Sequence, residues 1–189
     1  PSATRFVVGL VGYLLLWGLL LSKRVMGSLF STFIHELTHA LFAWLTLNSV
    51  SDLKLTWSKG GSIKVHGHPH WLITLAPYVF PTLSVALWVI VALSEALWGR
   101  PLLSALWLDL LMGASLGFFW ATLKTDLRAS QPDIKSAGRL FSLLIVPHFA
   151  LTSSLLITAL GAQGTQGVSN TLAHTSALWW RALQHSFTY

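Results

Sequence analysis

The sequence predicts an all-α polytopic membrane protein of about five transmembrane helices, with a short β-hairpin insert and a C-terminal amphipathic helix. Three observations predict it. Only 10% of the 189 residues are charged and 53% are hydrophobic, whereas a soluble domain carries about a quarter charged residues. The apolar residues gather in long stretches at about 6–22, 25–47, 71–98, 102–123 and 139–162, lengths that suit helices crossing a hydrocarbon core. The one long polar stretch, 48–70, contains residues alternating in period two, the mark of strands. Residues 1–189 therefore read as a single membrane-embedded domain.

The first span, 6–22, is nearly all apolar and ends at Ser22-Lys23-Arg24. No small-residue cleavage site follows before the next apolar segment, so it reads as a span and not as a signal peptide. The second, 25–47, contains Phe33-Ile34-His35-Glu36-Leu37-Thr38-His39-Ala40. In the insert, residues 53–57 and 62–66 alternate around Lys59-Gly60-Gly61, a hairpin signal. His66, His68 and His70 then occupy alternate positions, either a surface metal position or a solvated loop.

The third span, 71–98, is interrupted by Ala76-Pro77-Tyr78-Val79-Phe80-Pro81. Two prolines four apart forbid a regular helix there. Irregular backbone at membrane depth is tolerated beside protein or a water-filled cavity, which makes Pro77, Tyr78 and Pro81 candidates to line a substrate cavity. Gly99-Arg100-Pro101 is a tight turn. The fourth span, 102–123, contains Asp109, and the polar loop after it contains Asp126 and Asp133. The fifth span, 139–162, is followed by a Gly/Gln linker. In 169–187, Leu172, Trp179, Leu183 and Phe187 share one helical face, as in an interfacial amphipathic helix.

Charge and cysteine content narrow the chemistry. The net charge of +6 is spread between hydrophobic stretches, so it reads as the Lys/Arg bias of cytoplasmic loops and not as a nucleic-acid footprint. With no cysteine, neither a disulfide nor a thiolate metal site can form. Five alternating spans put Arg5, Lys54, Lys59, Lys64, Lys124, Arg128, Lys135 and Arg139 on one side. Lys23, Arg24, Arg100 and Arg181 fall on the other, so the expectation is a multi-pass protein of the inner (plasma) membrane with a cytoplasmic N terminus. The 48–70 and 124–138 loops then share that side, with His39 about 12 Å below the interface.

His35 and His39 are four residues apart, so a helix stacks them on one face. Two imidazoles so placed take two corners of a tetrahedral zinc site, and Glu36 beside them suits a general base. Neutral histidines bonded within a helix bundle explain one such residue better than two with a glutamate. A di-iron site needs a second Glu-x-x-His, and Glu95, the other glutamate, has no histidine three residues on. A catalytic zinc site takes a third protein ligand. Asp109, Asp126, Asp133, Glu95 and His148 are the candidates, Asp133 standing near a helix N-terminus just after Pro132.

The motif helix, the β-prone insert, the Pro-rich start of the next span and Gln131-Pro132-Asp133-Ile134 with Gly138 cover about residues 25–145. In these the chain resembles the site-2 protease family of intramembrane zinc metalloproteases, particularly its compact bacterial members. The resemblance implies zinc held by His35, His39 and Asp133, and Glu36 as base. It implies hydrolysis of peptide bonds in membrane-protein substrates within or near the lipid bilayer. Separately, an exposed strand at 62–66 is able to hold an unwound substrate by strand addition. The chain departs from the family pattern where it reads Pro-Asp-Ile at the distal site and Pro81-Thr82-Leu83-Ser84, without asparagine, on the middle span. The insert is too short for a separate peptide-binding domain. The alternatives are a catalytically silent subunit docked to a membrane-complex partner, and an ion transporter using Asp109.

Overall fold

The computed structural model describes residues 2–21, 25–56, 60–68, 70–127 and 131–186. Helix α1 (Ser2–Leu16) passes into a π-helical turn at Trp17–Leu21 and is followed by α2 (Val25–Leu45). Strands β1 (Ser49–Thr56) and β2 (Gly60–His66) come next, then α3 (Trp71–Val79) and α4 (Thr82–Trp98). Helices α5 (Ala105–Asp126), α6 (Pro132–Ala137) and α7 (Arg139–Ser186) complete the chain. The two strands pair antiparallel, from Ser49 opposite His66 to Thr56 opposite Gly60, with an irregularity between Ser51 and Lys54. Lys59, expected in the turn, lies outside the described residues.

The proline break has the expected place and a clear cause. Phe80, forced toward extended backbone by the following proline, has φ −120° and ψ 117° and ends α3. Pro81 has no N–H to continue the ladder, and α4 leaves at 80° to α3. At the other end of α4, Gly99 supplies the left-handed cap (φ 66°) that turns the chain toward α5.

Helices α1 and α5 form the closest pair, and glycine makes it possible. A Cβ on Gly113 would fall onto the Phe6 carbonyl, and one on Gly9 onto the Leu110 carbonyl. Gly117 lies against Leu10 and Tyr13, and the Tyr13 ring meets Phe118 at 6.0 Å. Small residues at such a seam let helix backbones approach in an apolar medium. Residue numbers rise together along both helices, so α1 and α5 run in the same direction. At their N-terminal ends Arg5 Nη1 stands 3.6 Å from Asp109 Oδ2.

The other elements run against or along this pair. Helix α7 returns antiparallel to α5: Trp120 donates to Ser154 at 3.1 Å, while Gly161 meets the Phe6 ring. Helix α3 follows α7, with Trp71 on Phe141 at 5.4 Å and Ser153 donating to the Val79 carbonyl at 2.8 Å. Ser84 and Ser115 share a buried 2.8 Å hydrogen bond between α4 and α5. Leu75, Tyr78, Met112, Val146 and Ala150 fill the core between these helices.

Three expectations change. Among the described residues, helices α1, α5 and α7 are long and apolar enough to cross a membrane, and the α3–α4 pair, bent by 80°, is a fourth when counted as one broken span and otherwise a re-entrant loop. A fifth crossing by 25–47 is not among them, because the polar residues from Ser31 to His39 dilute that helix. Because α1 and α5 run in the same direction, the start of α1 lies at the opposite end from the 127–138 connection, where five alternating spans would put them together. The linker before 169–187 does not interrupt the helix: α7 runs unbroken for 48 residues, about 72 Å. Glycine in a helix costs only about 1 kcal/mol, so Gly161, Gly164 and Gly167 weaken it without ending it. The side chains of Leu172, Trp179, Leu183 and Phe187 lie outside the described residues.

Candidate metal centre

Helix α2 stacks the His35 and His39 rings 4.9 Å apart, edge to face. The Nδ1–H of His39 donates to the Ile73 carbonyl of α3 at 2.8 Å, which leaves Nε2 as the nitrogen turned toward the site. Thr38 meets Thr82 Oγ1 at 2.6 Å and ties the motif helix to the start of α4. Glu36 is 8% exposed and lies beneath the hairpin. A Cβ on Gly61 would come within 2.9 Å of Glu36 Oε1, and the Ile63 backbone N–H donates to the Glu36 carboxylate. Only glycine lets β2 lie this close.

Asp133 arrives from α6, with Pro132 at the start of that helix and Gln131 as its N-cap. That helix is separate from the last span: Gly138, at φ 95°, divides α6 from α7. Asp133 Oδ2 stands 3.4 Å from His35 Nε2 and 3.5 Å from His39 Nε2. The Tyr78 hydroxyl donates to the same oxygen at 3.0 Å. Burial pushes the Asp133 carboxyl up, but hydrogen bonds to His35 and His39 and their positive charge outweigh it and hold the group well below the usual carboxylate range.

This arrangement fits a tetrahedral ion. Ligands about 2.0–2.1 Å from zinc lie ~3.3–3.4 Å from one another, close to the two separations between Asp133 and the imidazoles. Among the described residues, His35, His39 and Asp133 are the one group of three such side chains able to hold a metal, all ligand atoms lying within 4.8 Å of one another. Asp126, at the end of α5, stands apart from the Nε2 atoms, with its Oδ2 3.6 Å from His35 Nδ1.

An open cleft of about 530 Å³ lies over the group, lined by His35, Glu36 and Asp133 with Ser62, Ile63 and Val65 of β2. The expected lining differs. Pro77 and Pro81 border a separate cavity of about 20 Å³ beside His35, room for about one water. Tyr78 is 1% exposed, its ring against His35 and its hydroxyl on Asp133. Reasoning from the sequence missed that bond; a tyrosine hydroxyl within an apolar span, which needs a partner when buried, was its one signal.

The remaining candidates lie elsewhere. Asp109 faces Arg5. Glu95 is exposed near the end of α4, and His148 is exposed on α7 beside Phe149. His66 meets Ser51 Oγ at 2.7 Å, the His68 backbone N–H donates to Asn48, and His70 Nδ1 caps α3 by accepting from the Leu72 N–H.

A model of the family described as Peptidase M50B-like matches residues 6–124, more than half of the chain. The match contains His35, Glu36, His39 and Tyr78 and ends just before Asp126. No curated protein and no solved structure gives a match.

Proposed function

Because the chain belongs to the Peptidase M50B-like group of the site-2 protease family, we propose that it hydrolyses peptide bonds of membrane-protein substrates at a zinc centre. The observation that carries this reading is Asp133 Oδ2 between two imidazole Nε2 atoms, at 3.4 and 3.5 Å, beside a buried glutamate. His35, His39 and Asp133 would hold the ion. Zinc in such a site supplies the Lewis acidity that polarises a carbonyl and brings the pKa of water towards 7. Glu36 takes the proton of the attacking water and passes it to the leaving amine. Its position next to His35 on α2 brings it to the cleft, and the cover of β2 limits its contact with bulk water.

The substrate must expose its carbonyls, so it enters locally unwound and lies along β2, whose Ser62, Ile63 and Val65 border the cleft. Ser62→Pro removes one main-chain donor from that strand and is expected to slow cleavage while zinc is retained. Undiminished cleavage by this variant would place the substrate elsewhere.

Lys54, Lys64, Lys124, Lys135 and Arg139 gather at the end of the molecule that carries the cleft, against Arg5 and Arg100 at the other. The positive-inside rule then places the cleft on the cytoplasmic side. The start of α1 lies on the far side.

The test is the zinc content of the detergent-purified chain, wild type beside His39→Ala and Asp133→Ala, followed by peptidase assays with Glu36→Gln. The expected result is one zinc per chain, lost in both ligand variants, and cleavage that disappears in Glu36→Gln with zinc still bound. Wild type that takes up no zinc overturns the reading. Zinc without any cleavage by wild type supports the silent membrane-complex subunit instead.

A further inference from the structure

From the contacts of its carboxylate we infer that Asp126 is a positioning residue for His35, holding the Nδ1–H side of that ring while Nε2 is offered to the metal. The inference rests on the metal-centre reading above and adds to it a residue outside the three ligands.

A metal-binding imidazole must present a bare lone pair, so its other nitrogen carries the proton and needs an acceptor. His39 has one in the Ile73 carbonyl, 2.8 Å from Nδ1. For His35 the group that faces Nδ1 is the Asp126 carboxylate, with Oδ2 at 3.6 Å, while Nε2 faces Asp133 at 3.4 Å. An ionised carboxylate accepts hydrogen bonds and cannot donate them. With the Nε2 lone pair given to an ion shared with His39 and Asp133, the ring's proton stands on Nδ1, and Asp126 is the acceptor that faces it. Each histidine then has an acceptor behind its Nδ1, one from α3 and one from α5.

Asp126 is itself held. It is the last residue of α5, and the Thr125 hydroxyl reaches its other oxygen, Oδ1, at 3.2 Å. Oδ2 is the oxygen turned toward the ring. A charged acceptor raises the basicity of the imidazole more than a carbonyl does, so His35 is the stronger donor of the pair. The two aspartates of the connection between α5 and α7 thus divide the work. Asp133 faces both Nε2 atoms, and Asp126 faces the back of one ring.

The experiment measures zinc affinity by competition with a chelating dye, using the full chain in detergent as wild type, Asp126→Ala and Asp126→Asn. Visible absorption of the same proteins loaded with cobalt(II) reports ligand geometry. Asp126→Ala is expected to weaken zinc binding roughly 10- to 100-fold and to shift the cobalt spectrum. Asp126→Asn keeps an oxygen acceptor at the same reach and recovers most of the affinity. If Asp126→Ala fails to fold, the asparagine variant and the cobalt spectrum still read the effect, as a smaller loss in the same direction. Unchanged affinity and spectrum in both variants overturns the inference. So does complete loss of zinc in Asp126→Ala with full retention in Asp133→Ala, since Asp126 would then be a ligand. Wild type that binds neither ion refutes the metal centre itself, a result distinct from either.

Discussion

Asp133 Oδ2 accepts from Tyr78 and stands against two imidazole nitrogens, so the tyrosine decides which of the two carboxylate oxygens turns toward the histidines. Tyr78→Phe keeps the ring in its buried place and removes that one donor. The expected effect is zinc binding weakened about 10-fold with little change in thermal unfolding, since ring packing is kept. Chelator competition on the purified variant checks it, and equal affinity in wild type and Tyr78→Phe would show that the hydroxyl has no part in holding Asp133. Glu36 depends on a neighbour in a different way. Its carboxylate lies under β2 because Gly61 has no Cβ to push the strand away.

Among the elements, the α1–α5 pair is the most exacting, because its contact is backbone against backbone. A side chain at Gly113 meets the Phe6 carbonyl of a rigid helix, which cannot swing aside. A Cβ added to Gly12, on the same α1, would meet no described atom within 4 Å. Gly113→Leu is therefore expected to abolish recovery of monodisperse protein in detergent, while Gly12→Leu is recovered as wild type. Equal recovery of both would mean that α1 does not pack on α5 through this seam. The break between α3 and α4 is set by a different kind of constraint. Phe80 and Pro81 end one helix and start another by their allowed dihedrals alone, and the result is that Tyr78, just before the break, reaches Asp133.

For the whole molecule, the direction of α1 relative to α5 fixes which ends share a side of the membrane. With Arg5 beside Asp109 and Asp126 at the opposite end of α5, Thr4 and Lys135 belong on opposite sides. The chain has no cysteine, so single cysteines at these two positions can be compared directly. In intact cells a membrane-impermeant thiol reagent is expected to label Thr4→Cys and to spare Lys135→Cys until the membrane is opened. Labelling of both from outside would mean that α1 and α5 do not cross as neighbours in the same direction. The same arrangement gathers Lys54, Lys64, Lys124, Lys135 and Arg139 around the cleft end. The charge asymmetry read from the sequence therefore persists, although Arg5 changes sides.

The sequence by itself determined what depends on near neighbours. Low charge and long apolar stretches give a membrane protein, a four-residue spacing stacks His35 on His39, and Pro81 ends the helix before it, while Pro77 is accommodated inside α3. Alternation in 53–57 and 62–66 gives the hairpin, because strand periodicity is local too. The tertiary structure alone decided what depends on approach across the chain. Asp133 meets His35 from 98 residues away, and Tyr78 meets Asp133 from 55. Asp126 and Asp133 are both short acids in one polar connection, and nothing in their local sequence says which will face the Nε2 atoms and which the back of a ring. The parallel run of α1 and α5 was hidden for the same reason. Glycines in two distant helices reveal a seam only when the backbones meet, and a span count treats every apolar helix alike.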